Sequence, residues 1–275
     1  MLNLQYTIIM FTACIFTCFP TCTISTAGEP ASYEEVILLG KFSKKDLNRI
    51  METASKKEDP GERIDLISRN FLGTGYQEST LIGSHKKKEI LVINLEGMDC
   101  FTYLDYVEAM RLSGGFKEFK KNLVHVRYRG SGISYTNRNH FFTDWREYNS
   151  VVDVTRQVAG TAYRTTVKML NRKDENGKYL PGIDVIERSI SYIPSVEINN
   201  IDLGKIKTGD YLGIYSPRPG LDVSHTGIAT RKSGKLYIRH ASSSEKNREV
   251  VEERLAEYIK NKPGIVILRP VIPGK

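Results

Sequence analysis

Residues 89–112 run EILVINLEGMDCFTYLDYVEAMRL, and the architecture can be read outward from them. Ile90, Leu91, Val92, Ile93 and Leu95 form a short apolar run rich in β-branched side chains, the mark of a buried strand over Glu89 to Leu95. Gly97-Met98-Asp99 breaks it. Beyond the break Phe101, Leu104, Val107 and Leu112 recur near the helical period, and Gly114-Gly115 ends the pattern. Cys100 thus falls at a strand–turn–helix junction, with Asp99 placed to cap the helix. The first turn of a helix carries unpaired amide N–H groups and the positive end of the dipole. Both favour a thiolate, so a lowered pKa is expected for Cys100. The same N–H groups suit a developing oxyanion.

Toward the N-terminus, Ser43-Lys44-Lys45-Asp46 predicts a capped helix to about Lys56, with Leu47, Ile50 and Met51 on one face. Asp59-Pro60 starts another, carrying Ile64, Leu66, Ile67 and Phe71 before Gly73. Toward the C-terminus, a short helix is expected over Phe116 to Leu123 and a strand over Val124 to Arg129. From Val151 the pattern is mostly β. Tyr211 to Tyr215 follows a Gly209-Asp210 turn, and Thr226 to Thr230 and Lys235 to Arg239 flank the hairpin signature Lys232-Ser233-Gly234. Glu249 to Lys260 reads as a last helix and Gly264 to Pro270 as a closing strand. Helices first and strands after predict an α+β fold, with helices packed against an antiparallel sheet and additional helical elements at the N-terminus. No linker divides residues 28–275, which are expected to form a single domain.

The chain of 275 residues, 40% hydrophobic and 26% charged, has an ordinary globular composition. Its 40 Lys+Arg against 32 Asp+Glu give a net charge of +8, which fits an anionic partner such as a cell-wall polymer or a membrane surface. The basic residues lie in short runs such as Lys86-Lys87-Lys88, without the aromatic interleaving of a nucleic-acid patch, and no nucleic-acid partner is expected. No charged side chain occurs in the first 27 residues. An apolar stretch there is followed by the small-x-small string Ser25-Thr26-Ala27, the layout of a secretory signal over residues 1–27. It implies transient engagement with a membrane and a periplasmic or cell-envelope location. A retained anchor is the rival reading. The nearest lipobox-like string, Phe11-Thr12-Ala13-Cys14, leaves too short an apolar stretch before it, so a lipoprotein is the weaker expectation.

Of the four cysteines, Cys14, Cys18 and Cys22 lie in the segment expected to be lost, and the mature chain keeps Cys100 alone. A lone cysteine makes no internal disulfide and supplies too few thiolates for a structural zinc site. In an oxidising compartment it is a liability unless buried or used. A nucleophile needs a base and a group to orient that base. Among the histidines, His85 sits in a polar loop and reads as solvated, and His125 lies in the expected Val124 to Arg129 strand and reads as structural. His225 opens a strand in Asp222-Val223-Ser224-His225-Thr226-Gly227, and His240 lies near the end of the next. With a turn centred on Lys232 to Gly234, the two fall opposite each other or one step off, where facing Cβ atoms are roughly 4.5–5.5 Å apart. The hairpin alone can bring two imidazoles together as base and orienter.

Asp99-Cys100 at a helix start, Ser224-His225-Thr226-Gly227 at a strand start and a polar residue on the next strand resemble the NlpC/P60 superfamily of cell-wall cysteine peptidases. The helix begins Asp-Cys-Phe-Thr rather than the commoner Asp-Cys-Ser-Gly, and the spacing is wider than in compact members. In these respects the chain is similar to the DUF1460, or N-acetylmuramoyl-L-alanine amidase-like, branch. So are Ile133-Ser134-Tyr135, Arg138-Asn139-His140, Asp144-Trp145, His240-Ala241-Ser242 and Leu268-Arg269-Pro270. The resemblance runs from about residue 35 to the end. It implies a papain-like α+β core and peptidoglycan fragments (muropeptides) as substrate, cut at the amide between N-acetylmuramic acid and L-alanine, anhydro-muropeptides included. Cleavage of the stem peptide after D-glutamate is the alternative. Carried over residue by residue, Cys100 is the nucleophile, His225 the base and His240 the third polar residue, with no cofactor and no metal. Tyr135, Arg138, Asn139, His140 and Trp145 are expected to line the substrate, since aromatic faces pack on sugar rings and Arg138 and Asn139 suit carboxylate or carbonyl oxygens.

Overall fold

The structure, a computed structural model, describes residues 33–175 and 177–274. The expected secretory signal and Cys14, Cys18 and Cys22 lie outside the described residues. Strand β1 (Glu35–Leu38) leads to α1 (Lys44–Ser55), held at its start by a reciprocal capping box between Ser43 and Asp46. Asp59 caps α2 (Pro60–Arg69). Short strands β2 (Gly75–Tyr76), β3 (Ile82–Ser84), β4 (Lys87–Asn94) and β5 (Gly97–Met98) follow. The apolar run of residues 90–95 is thus a strand as read. It belongs to a small sheet of order β1-β4-β3, apart from the main one, while β2 and β5 pair in parallel.

Helix α3 (Cys100–Arg111) is buried along almost its whole length. Its polar residues are therefore paired, as burial of charge requires. Asp105 accepts from Arg127 Nε at 2.8 Å and Trp145 Nε1 at 3.1 Å, and Glu108 accepts from Arg111 Nε and the Tyr211 hydroxyl, both at 2.7 Å. Helix α4 spans Phe116–Arg127 without interruption, which corrects the strand expected over Val124 to Arg129. The Phe116, Phe119, Leu123 stripe continues through Val126 and Arg127, all buried, and the Arg127 ion pair with Asp105 fixes the last turn on α3. His125 lies on the exposed side of that helix.

Helix α5 (Phe142–Tyr148), strand β6 (Val151–Asp153) and α6 (Thr155–Ala159) lead into β7 (Arg164–Leu170), β8 (Ile186–Pro194), β9 (Tyr211–Tyr215), β10 (Val223–Lys232) and β11 (Lys235–Ala241). Strand β12 (Val250–Arg254), α7 (Leu255–Ile259) and β13 (Gly264–Pro270) complete the chain. The main sheet is antiparallel, in the order β12-β11-β10-β9-β13-β8-β7, with β6 also on β13. The helix expected over Glu249 to Lys260 is half strand: β-branched Val250 and Val251 pair with Ala241 and His240, and only one helical turn follows. Alternate residues of β9 and β13 enter two separate cores. Tyr211, Tyr215, Val266 and Leu268 join the large one with α1 to α5; Leu212, Ile214, Ile265 and Ile267 join the other with α6 and α7. The fold is α+β as expected, with the long helices on one face of the sheet and two single-turn helices on the other.

Candidate active site

Cys100 is the first residue of α3. The Asp99 carboxylate accepts from the amides of Phe101 at 3.0 Å and Thr102 at 2.7 Å, and the Thr102 hydroxyl accepts in return from the Asp99 amide. Two first-turn N–H groups expected to serve an oxyanion are thereby taken. The Cys100 amide remains, lying against its own sulfur. The expected lowering of the thiol pKa is also corrected. Burial first, and then the Asp99 carboxylate, push Cys100 up to about 11, while contacts from the Thr226 amide and hydroxyl pull the other way. The helix terminus is real, but its cap places a carboxylate beside the sulfur.

Strand β10 brings His225 to this terminus. The Thr226 hydroxyl donates to the Cys100 carbonyl at 2.8 Å, pinning the strand to the helix start. His225 and Cys100 line one cleft of about 270 Å³, together with Phe101, His140, Phe142, Tyr179 and Leu180. His225 Nε2 stands 2.8 Å from His240 Nδ1. The hairpin turn is the two residues Ser233-Gly234, both at positive φ, so that Lys232 pairs with Lys235. Carried along the strands, that register sets His240 across from Gly227, with His225 on the diagonal of the same face. Burial holds His225 down to about 3, and the neighbouring His240 and the Lys262 cation act in the same direction. His240 is likewise held below the ordinary histidine value by burial. Thiol and imidazoles are therefore neutral together near pH 7.

His240 does not end the chain of contacts. Its Nε2 lies 2.8 Å from Glu253 Oε2 on the neighbouring edge strand β12. This carboxylate escapes the sequence because residues 249–260 read as a helix. Tyr258 on α7 covers the pair, its ring 4.8 Å from that of His240. Tyr76 and Tyr258 are both raised in pKa, by burial first and then by proximity to Cys100.

Of the five residues expected to line the substrate, the structure brings only His140 to the cleft. Burial pushes it down to about 4, and its Nε2–H donates to the Tyr135 carbonyl at 2.8 Å. Arg138 is consumed by Glu89, with Nε at 3.0 Å and Nη2 at 2.6 Å from the same oxygen. Buried Asn139 donates to the Val126 carbonyl. Trp145 is fully buried with its N–H on Asp105, and Tyr135 lines a different depression beside Lys86 to Lys88. The wall is built instead by Tyr179 and Leu180 and by Leu221 to Ser224. Asn171 holds the first loop through both the amide and the carbonyl of Leu180. Lys168 holds the second, donating to the carbonyls of Ser216, Arg218 and Leu221. Among the described residues no group of three or more His, Cys, Asp or Glu side chains is arranged to hold a metal ion.

The family model for N-acetylmuramoyl-L-alanine amidase-like (AmiA-like) proteins matches residues 66–265. Among solved structures, a Legionella pneumophila protein of the DUF1460 family is similar at 23% identity and a TM-score of 0.70, over 83% of this chain and 94% of that one; at that identity the likeness is one of fold. An N-acetylmuramoyl-L-alanine amidase from Bacteroides uniformis is similar at 25% identity and a TM-score of 0.62, over 82% of this chain and 99% of that one. A candidate xylanase from Bacteroides fragilis is similar at 29% identity and a TM-score of 0.60, over 74% and 98%. No curated protein matches the sequence.

Proposed function

This chain belongs to the N-acetylmuramoyl-L-alanine amidase-like family, and we propose that it hydrolyses the amide between N-acetylmuramic acid and L-alanine in peptidoglycan fragments, anhydro forms included. Cys100 is the nucleophile, His225 the base and His240 its orienting partner. The observation that carries the reading is the hydrogen-bonded His225–His240 pair sharing a cleft with the lone thiol of the described residues. Thiol and base start neutral, so the proton moves during attack. The sulfur adds to the lactyl carbonyl while His225 Nδ1, the nitrogen not engaged by His240, takes the thiol proton. Collapse of the tetrahedral intermediate breaks the C–N bond, and His225 returns the proton to the departing alanine nitrogen. Water then adds to the thioester, giving its proton to His225, and the sugar acid leaves as the thiol reforms. The Cys100 amide, not taken by the Asp99 cap, is a donor for the oxyanion.

A glycosidase reading finds no support at this cleft. Such enzymes need a pair of free carboxyl groups. Asp222, the one acidic residue lining the cleft, is occupied by the Thr143 amide and hydroxyl and the Val223 amide. Export is part of the same proposal and rests on the apolar stretch within the uncharged residues 1–27; a wall-derived substrate agrees with it. Digestion of muropeptides followed by mass spectrometry tests the bond. A sugar product lacking its peptide, with a peptide beginning at alanine, is expected. A muropeptide shortened after D-glutamate assigns an endopeptidase instead, and full activity in Cys100→Ala overturns the mechanism.

A further inference from the structure

The two histidines end on a carboxylate, and the order of donors and acceptors in that chain has a single solution. Glu253 Oε2 and His240 Nε2 are 2.8 Å apart, and His240 Nδ1 and His225 Nε2 are also 2.8 Å apart. An ionised carboxylate only accepts, so His240 Nε2 carries the hydrogen. A neutral imidazole has one N–H, so His240 Nδ1 is bare and accepts. His225 must then donate from Nε2, which leaves its Nδ1 bare. We infer that Glu253 is a positioning residue that sets the tautomers of both histidines, so that His225 presents an unprotonated Nδ1 for the Cys100 proton. This rests on the proposed roles of Cys100 and His225.

Among the described residues, no other neighbour of the pair fixes that order. Tyr258 covers the rings, at 4.8 Å from His240 and 6.3 Å from His225. The Lys262 cation disfavours charge on either ring without choosing a nitrogen. Without the carboxylate, His240 is free to donate from Nδ1 to His225 Nε2. His225 then holds its hydrogen on Nδ1 and has no lone pair for the thiol. The setting argues against a packing role: Glu253 lies on the edge strand, its side chain is 40% exposed, and His240 is its hydrogen-bond partner. The carboxylate also gains strength as an acceptor when His225 takes the proton, since positive charge then spreads along the chain toward it.

Glu253→Val suits an edge strand and removes the acceptor, while Glu253→Gln keeps an acceptor oxygen without the charge. In ¹⁵N NMR of the histidine side chains, the wild-type protein is expected to show His225 and His240 each protonated at Nε2. Glu253→Val is expected to add the Nδ1–H form of His225. Alkylation of Cys100 by iodoacetamide at pH 7 should slow about tenfold or more in the same variant, kcat should fall about 10–100-fold with KM little changed, and Glu253→Gln should recover part of both. Should the valine variant not fold, Glu253→Asp, which withdraws the carboxylate by one methylene, carries the same readouts. A folded variant with unaltered tautomers and unaltered alkylation overturns the inference. Neither of those readouts uses a substrate, so cleavage of some other bond would overturn the functional reading and leave this one standing.

Discussion

At the scale of the residue, Asp99 works in two directions. Its side chain closes the capping box that starts α3, worth about 1 kcal/mol as N-caps go. Its charge, second to burial, also raises the Cys100 thiol. The cap is legible in the sequence and the charge is not, because a helix start shows its N–H groups and dipole but not that the capping carboxylate also faces the sulfur. The two effects separate in Asp99→Asn, since asparagine caps as well as aspartate but carries no charge. The expected outcome is a Cys100 pKa below about 11, read as an earlier midpoint in alkylation rate against pH, with little change in melting temperature. An unmoved midpoint would show that burial alone sets the thiol. The base follows the opposite sign. His225, held at about 3 by burial, stays neutral well below the ordinary histidine range, and acid silences it only as pH falls toward that value.

At the scale of the element, the β10–β11 hairpin carries the base and its partner, and much of it was legible. The Lys232-Ser233-Gly234 signature locates the turn, and the spacing predicts His225 and His240 opposite each other or one step off; the observed register, two residues from opposition, keeps them on one face. Register is less legible, because a one-residue change in turn length would send the two imidazoles to opposite faces of the sheet. The arrangement also needs Gly227, across from His240, because a side chain there would meet β11. A Cβ at Gly227 would lie 2.6 Å from Ile238 Cγ1 and 3.0 Å from His240 Cβ. Its φ is not positive, so the constraint is steric, not conformational. Gly227→Ala is therefore expected to cost about 1–3 kcal/mol through overpacking. By displacing His240 it should also lower kcat by up to about 10²-fold. Melting and turnover measured side by side check this, and an alanine variant unchanged in both would mean the strands yield without moving the ring. The two misread elements fail for a related reason. Val124 and Val126 alternate like a strand, and the charges of residues 249–260 space like a helix. In each case tertiary partners, Asp105 for Arg127 and β11 for Val250 and Val251, outweigh the local pattern.

At the scale of the whole molecule, what the sequence hides is which distant charge meets which. Arg138 looked available for substrate because Glu89, 49 residues away, cannot be seen as its partner from spacing. Arg239 shows the same principle where it bears on stability. It immediately precedes His240 on β11 and, with alternation, reaches the opposite face of the sheet. There Nη1 donates to the Asp65 carbonyl at 3.1 Å and to the Ser68 hydroxyl, and Nη2 to Glu252 at 2.7 Å. Tyr103 of α3 donates to the Ser68 carbonyl at 3.2 Å. One guanidinium thus ties α2, and through it α3, to the strand that carries the base's partner. Its side chain is 1% exposed and that of Glu252 is 9% exposed; without Arg239 the carboxylate keeps only the exposed Lys232 and the Thr230 hydroxyl as partners. Arg239→Met is expected to lower stability by about 1–3 kcal/mol, through the buried acceptors that lose their donor. Adding Glu252→Gln should recover part of that loss, because the buried side chain that has lost its nearest buried cation then carries no charge. Urea midpoints of the wild type, both single variants and the double variant close a thermodynamic cycle that measures the coupling. A loss under about 1 kcal/mol in Arg239→Met, or no recovery in the double variant, would mean that Arg239 adds little to what the apolar core and the Tyr211–Glu108 and Thr226–Cys100 hydrogen bonds supply.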